Sequence, residues 1–177
     1  MQELTHYLNG AHVKGTSGRF ADVYNPATGE VQAKVPLAGE AELDQAVKYA
    51  MAAQPAWAAV NPQRRARVMM KFVDLLNRDM DKLAEALSRE HGKTLPDAAG
   101  DVQRGLEVVE YCIGAPELLK GDFTDSAGPG IDMYSMRQPL GVSAGITPFN
   151  FPAMIPMWMF APAIVCGNAF ILKPSER

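Results

Sequence analysis

Apolar and polar positions alternate along residues 6–13, which reads as a strand with an Asn9-Gly10 turn inside or beside it. Residues 20–24 form a second short alternating run, and residues 31–37 a third. Between them, Asn25-Pro26-Ala27-Thr28-Gly29-Glu30 reads as a turn: proline presets one dihedral and Gly29 can take positive φ. The opening is therefore expected to be a small β-meander.

The period then changes to that of a helix. Residues 40–53 carry Leu43, Ala46, Val47 and Ala50 at helical spacing. A second helix starts at Asn61, a good N-cap, with Pro62 at its first position. One apolar stripe follows through Val68, Met69, Phe72, Leu75, Leu76, Met80, Leu83 and Leu87, and Gly92 ends the helix. A third helix is expected over residues 96–114, with Val102, Leu106, Val109 and Tyr111 as core positions.

Residues 121–130, rich in Asp, Ser and Gly, read as a loop, and residues 131–138 alternate like an edge strand. Residues 142–146 are a short, mostly apolar run of the kind found in buried parallel strands. Residues 151–166 read as a helix, ended by Gly167-Asn168, and residues 169–172 as another buried strand. Strand, helix, strand is one βαβ unit, and a covered parallel sheet needs more than one crossover. The pattern reads as a truncated chain; a complete protein whose sheet closes against another subunit is the alternative.

Composition narrows the class. Of the 177 residues, 47% are apolar and 21% charged, as in an ordinary globular protein. The net charge of −3 is spread along the chain and offers no basic face for nucleic acid. Arg64, Arg65 and Arg67 read as a solvated first helical turn. Two cysteines, Cys112 and Cys166, imply no disulfide framework and make a reducing, cytoplasmic compartment the default. The N-terminus lacks the basic and apolar regions of a signal peptide. Residues 149–166 have the length of a membrane span, but Pro152, Pro156 and Pro162 favour a buried helix. His6, His12 and His91 have no metal spacing; His91 reads as a helix-end residue favoured by the dipole.

Candidate chemistry sits after the two βαβ strands, because ligands of open α/β sheets bind at strand carboxyl ends. Thr147-Pro148-Phe149-Asn150 follows the first strand, and Lys173-Pro174-Ser175-Glu176-Arg177 the second. Glu176 stands where an acid of a dinucleotide fold accepts hydrogen bonds from a ribose hydroxyl. Lys173 could bond the same ribose or a phosphate; a solvated turn is the plainer alternative for both. Asn150 could stabilise a developing oxyanion, or simply cap the following helix. No G-x-G-x-x-G lies between these strands.

ITPFNFP at 146–152, an apolar helix and FILKPSER at 170–177 together resemble the aldehyde dehydrogenase superfamily. NPATGE at 25–30, REHGKT at 89–94 and RQPLGV at 137–142 fall in the expected order, so the resemblance spans essentially the whole chain. It is closest to the coenzyme A-acylating methylmalonate-semialdehyde (malonate-semialdehyde) dehydrogenases. Phe149, where many hydrolytic relatives have tryptophan, GLEVVEYCIGAPELLKGD and PMWMFAPAIVCGN carry that narrower likeness.

The resemblance implies an α/β fold in which an N-terminal β-meander and helices lead into an incomplete parallel Rossmann-type sheet. Residues 1–120 would be the N-terminal part of the NAD-binding domain, 121–140 an oligomerisation arm, and 141–177 the first βαβ of the sheet. Asn150 matches the amide of the oxyanion hole. Ile146, Thr147 and Phe149 match a wall beside the cofactor, and Lys173, Glu176 and Arg177 match its ligands. Arg104 matches an arginine that grips the substrate carboxylate, a role suited to a guanidinium; without the resemblance it reads as an exposed helical arginine.

The implied reaction is NAD-dependent oxidation of methylmalonate or malonate semialdehyde to propionyl- or acetyl-coenzyme A. It runs through a cysteine thioacyl intermediate. Neither Cys112 nor Cys166 matches that nucleophile, so the chain alone is expected to be inactive. Glu176 favours NAD over NADP, since it would repel a 2′-phosphate. A homo-oligomer, dimer or tetramer, is implied, with no membrane or nucleic-acid partner. The alternatives are a hydrolytic aldehyde dehydrogenase and a short, non-catalytic interaction protein.

Overall fold

The computed structural model describes residues 2–176. Strands β1 (Gln2–Glu3), β2 (His6–Leu8), β3 (Ala11–Val13), β4 (Phe20–Tyr24) and β5 (Val31–Pro36) open the chain. Helices α1 (Glu40–Ala58), α2 (Pro62–Arg78), α3 (Met80–His91), α4 (Leu95–Ile113) and α5 (Ala115–Leu118) follow. The chain then runs through β6 (Phe123–Gly128), β7 (Ile131–Tyr134), β8 (Val142–Ile146), α6 (Met154–Val165) and β9 (Ala169–Lys173).

The opening is not a simple meander. β2 and β3 form a separate hairpin around Asn9-Gly10, both with positive φ. β5 sits between β4, antiparallel to it, and β1, parallel to it. The two-residue β1 precedes the hairpin, so sequence neighbours are not sheet neighbours.

Three further expectations are corrected. α1 continues to Ala58, past the expected end near residue 53, with Pro55 inside it. The single long helix is two, interrupted at Asp79 (φ −107°, ψ 16°). There the Asp79 carboxylate pairs with Arg78 and, at 3.0 Å, with Lys82. Those partners, the Arg78 hydrogen bond foremost, hold it at about 2, below the usual carboxylate range. An aspartate that bonds its neighbours competes with helix continuation. The helical spacing nonetheless resumes across the break, and Gly92 ends α3 at φ 82°, as expected. Finally, residues 121–130 are not all loop: β6 pairs with β7 in an exposed hairpin.

The core gathers where α2, α3, α4 and α6 meet, around Met69, Leu76, Leu87, Val102, Leu106, Val109, Met157 and Val165. Val68 and Leu83 of the expected stripe face solvent. Tyr111 is 67% exposed, and Cys112 takes its place in the core. Both cysteines are unpaired thiols. Burial pushes the Cys112 thiol up to about 11.

Arg65 overturns the solvated reading of the basic turn. It is 5% exposed. Its Nε donates to the Val165 carbonyl at 2.8 Å, and its Nη1 to the carbonyls of Ala58, at 3.1 Å, and Val60. Those are carbonyls at or just beyond the ends of α6 and α1, which lack helical partners and carry the negative end of the dipole. One guanidinium therefore ties three helices together.

β8 and β9 are parallel, with Val142 opposite Ala169 and Ile146 opposite Lys173. Asn168 joins their N-terminal ends: its Oδ1 accepts from the Gly141 N–H at 3.0 Å and its Nδ2 donates to the Ala163 carbonyl at 3.0 Å. α1 and α6 both pack on this strand pair. No helix among the described residues is long and apolar enough to cross a membrane.

Candidate active site

The parallel register sets the geometry. Ile146 and Lys173 end their strands side by side, and the Thr147 N–H extends the ladder to the Lys173 carbonyl at 3.2 Å. The segments after both strands therefore leave the same edge of the sheet, as the βαβ pattern predicts.

On the first segment, Ile146 is 74% exposed and Phe149 46% exposed, while Thr147 is buried at 6%. Asn150 is exposed. Capping does not explain it. Ala153 is the N-cap residue of α6, with no side-chain cap hydrogen bond, and the Asn150 amide makes no hydrogen bond among the described residues.

On the second segment, Lys173 Nζ lies 3.0 Å from Glu176 Oε2, with both side chains largely exposed. A ribose diol needs donors and acceptors together, and this pair supplies one ammonium and one carboxylate at a strand end. The residues thus fit the ribose of a dinucleotide. Arg177 lies outside the described residues.

Arg104 sits on the exposed face of α4, where α4 meets α6. Its carbonyl accepts from Trp158 Nε1 at 3.3 Å, and its guanidinium makes no ion pair among the described residues. A close approach lets the helices meet there. A Cβ on Gly105 would stand 2.3 Å from Met157 Cε and 3.2 Å from Met154 Cα.

A corner between α3 and α4 holds the first segment. His91 stacks on Phe149, with ring centroids 5.8 Å apart and planes 12° apart. Lys93 Nζ lies 4.3 Å over the Phe151 ring and 2.8 Å from Asp101 Oδ2. Asp101 Oδ1 accepts from the Met154 N–H at 2.7 Å. Sequence reasoning missed Lys93 and Asp101, and gave His91 only its helix end. One signal was present: Asp101 falls on the stripe of Ala98, Val102 and Gly105, where apolar or small residues belong.

Residues 12–177 match the sequence profile of the aldehyde dehydrogenase family. The chain is 54% identical over 177 residues to the malonate-semialdehyde dehydrogenase of Pseudomonas aeruginosa, covering 100% of this chain and 35% of that protein. It is 52% identical over 174 residues to the acylating, mitochondrial methylmalonate-semialdehyde dehydrogenase of Arabidopsis thaliana, covering 98% of this chain and 29% of that one. A crystal structure complexed with NAD, of a Sinorhizobium meliloti protein given as a methylmalonate-semialdehyde dehydrogenase, superimposes with a TM-score of 0.98 at 69% identity. It covers 100% of this chain and 36% of that one. The chain thus spans about a third of the length of the curated relatives it matches.

Proposed function

The chain belongs to the aldehyde dehydrogenase family, and on that premise we propose that the complete protein oxidises malonate or methylmalonate semialdehyde to an acyl-coenzyme A, with NAD as oxidant. The observation that carries this reading is the shared strand edge. The segment that carries Asn150 and the segment that carries Lys173 and Glu176 both leave that edge, which supports their sharing one ligand. The named relatives support the substrate class.

In this reading, a cysteine outside these residues attacks the aldehyde carbon. The Asn150 amide donates a hydrogen bond to the oxygen as it becomes negative, and a preorganised donor of this kind typically contributes about 10²–10³ in kcat. NAD, when bound, accepts the hydride. Lys173 and Glu176 orient its ribose, Arg177 adds a further contact, and Ile146, Thr147 and Phe149 form the wall beside it. Arg104 holds the substrate carboxylate. The acyl group then passes to the coenzyme A thiol as carbon dioxide leaves. Malonate semialdehyde, coenzyme A and NAD thus give acetyl-coenzyme A, carbon dioxide and NADH. Residues 121–140 serve as an oligomerisation arm, consistent with the exposed apolar residues of the β6–β7 hairpin.

The test is NADH formation by the complete protein from malonate semialdehyde, with and without coenzyme A. Turnover that depends on coenzyme A and yields acetyl-coenzyme A is expected. Full turnover without it, giving the free acid, would overturn the acylating reading in favour of a hydrolytic relative.

A further inference from the structure

Asn150 is exposed, lies outside any helix or strand and makes no side-chain hydrogen bond among the described residues. A donor that acts by preorganisation must be held by its neighbours. Those neighbours are gripped from one corner of the fold. Phe149, just before it, stacks on His91, and Phe151, just after it, lies under the Lys93 ammonium. Met154, which opens α6, donates its N–H to Asp101.

Asp101 is the centre of this corner. It is 1% exposed and surrounded on its own helix by Ala98, Val102 and Gly105. An apolar side chain would serve packing at such a position, because a buried carboxylate is costly to desolvate. Here one oxygen takes Lys93 Nζ and the other takes the Met154 N–H, so both are used. Such a pair adds little net stability, because desolvation offsets the attraction, whereas removing one partner leaves a costly buried charge.

We propose that Asp101, with Lys93 as its counter-ion, is a positioning residue for Asn150: together they clamp the segment between β8 and α6 so that the amide stands ready for a developing oxyanion. The inference rests on the proposed role of Asn150. Asp101 and Lys93 act through the backbone and Phe151, and neither touches substrate.

The test uses the complete protein and four variants, Asp101→Asn, Lys93→Met, Lys93→Arg and Asn150→Ala, with Asp101→Asn also combined with Asn150→Ala. Amide hydrogen exchange of residues 147–154 is read beside kcat and KM. Asp101→Asn, nearly isosteric, is expected to speed exchange in that segment and lower kcat about tenfold, with KM within about twofold, since a misplacement of a catalytic group by about 1 Å costs up to about 10²-fold and this change is milder. In the Asn150→Ala background the same change should cost less than about twofold, because coupled residues are not additive. Lys93→Arg should recover most of what Lys93→Met loses, and the Lys93 variants also decide the matter if Asp101→Asn does not fold. Unchanged exchange in the segment, or an equal loss of kcat in both backgrounds, would overturn the proposal. If Asn150→Ala alone leaves kcat intact, the oxyanion reading falls, and the exchange data then judge the clamp by themselves.

Discussion

An arginine and a cysteine on the same helix, α4, show how environment assigns a side chain its work. Arg104 is solvent-facing, and its guanidinium makes no ion pair among the described residues, so it can meet a carboxylate from outside. Arg104→Ala in the complete protein should raise KM for carboxylate-bearing semialdehydes at least about tenfold, as for the loss of a charge-assisted hydrogen bond worth about 1.5–3 kcal/mol. Neutral aldehydes should be barely affected; steady-state kinetics on both substrate types checks this. Cys112 is the opposite case. Burial raises its thiol to about 11 from the ordinary 9.0. The thiolate is the reactive form, so Cys112 should resist alkylation in the native protein at neutral pH. A raised thiol also has a stability consequence. Below pH 9 the folded and unfolded chains both hold the proton; between about 9 and 11 only the unfolded chain loses it, so stability should fall as pH rises through that window. Denaturant titrations of the wild type and Cys112→Ala across the window would show the difference.

Helix ends and helix crossings carry the next level of organisation. Arg65, from its place on α2, closes carbonyls at or just beyond the ends of α1 and α6. Arg65→Met keeps much of the volume but leaves those acceptors orphaned. Buried unsatisfied groups cost about 1–3 kcal/mol each, so a loss of about 3 kcal/mol in chemical denaturation is expected. At Gly105, α4 packs tightly on α6. Gly105→Val should cost about 2 kcal/mol through overpacking, since its side chain would collide with buried Met157 and approach the Met154 backbone. The same measurement checks it. Sequence spacing placed α4 within a residue of its observed ends, and Asn61 and Gly92 where caps were expected. It merged α2 with α3 because periodicity reports a shared buried face, and that face survives a one-residue break. It missed β6 because Asp, Ser and Gly predict turns locally, whereas pairing with β7 is a non-local bond. The candidate site was legible in part. Lys173 ends β9, and Asn150 and Glu176 follow strand ends, which can be read from short apolar runs. Asp101 and Lys93 could not be read as partners of that segment, because Asp101 meets Met154 across 53 residues of chain.

Taken whole, the chain presents unsatisfied surfaces. β8 and β9 form a two-stranded parallel pair, and Phe123, Ile131, Met133, Tyr134 and Met136 on and beside the β6–β7 hairpin are exposed. Unpaired strand edges and contiguous apolar patches promote association. An isolated polypeptide of these residues should therefore aggregate or melt without a cooperative transition, which calorimetry and light scattering would reveal; a sharp reversible melt of a monomer would contradict this. The residue pattern alone determined one βαβ unit, most helix and strand positions, and the two segments that carry candidate chemistry, because periodicity and turn chemistry are local properties of the chain. Only the folded structure decided that β1 joins β5, that Arg65 is buried among helix ends, and that Asp101 and Lys93 hold the segment bearing Asn150. Those outcomes depend on which distant groups meet in a low-dielectric interior, where a charge must find its partner, and local pattern carries no record of that partner.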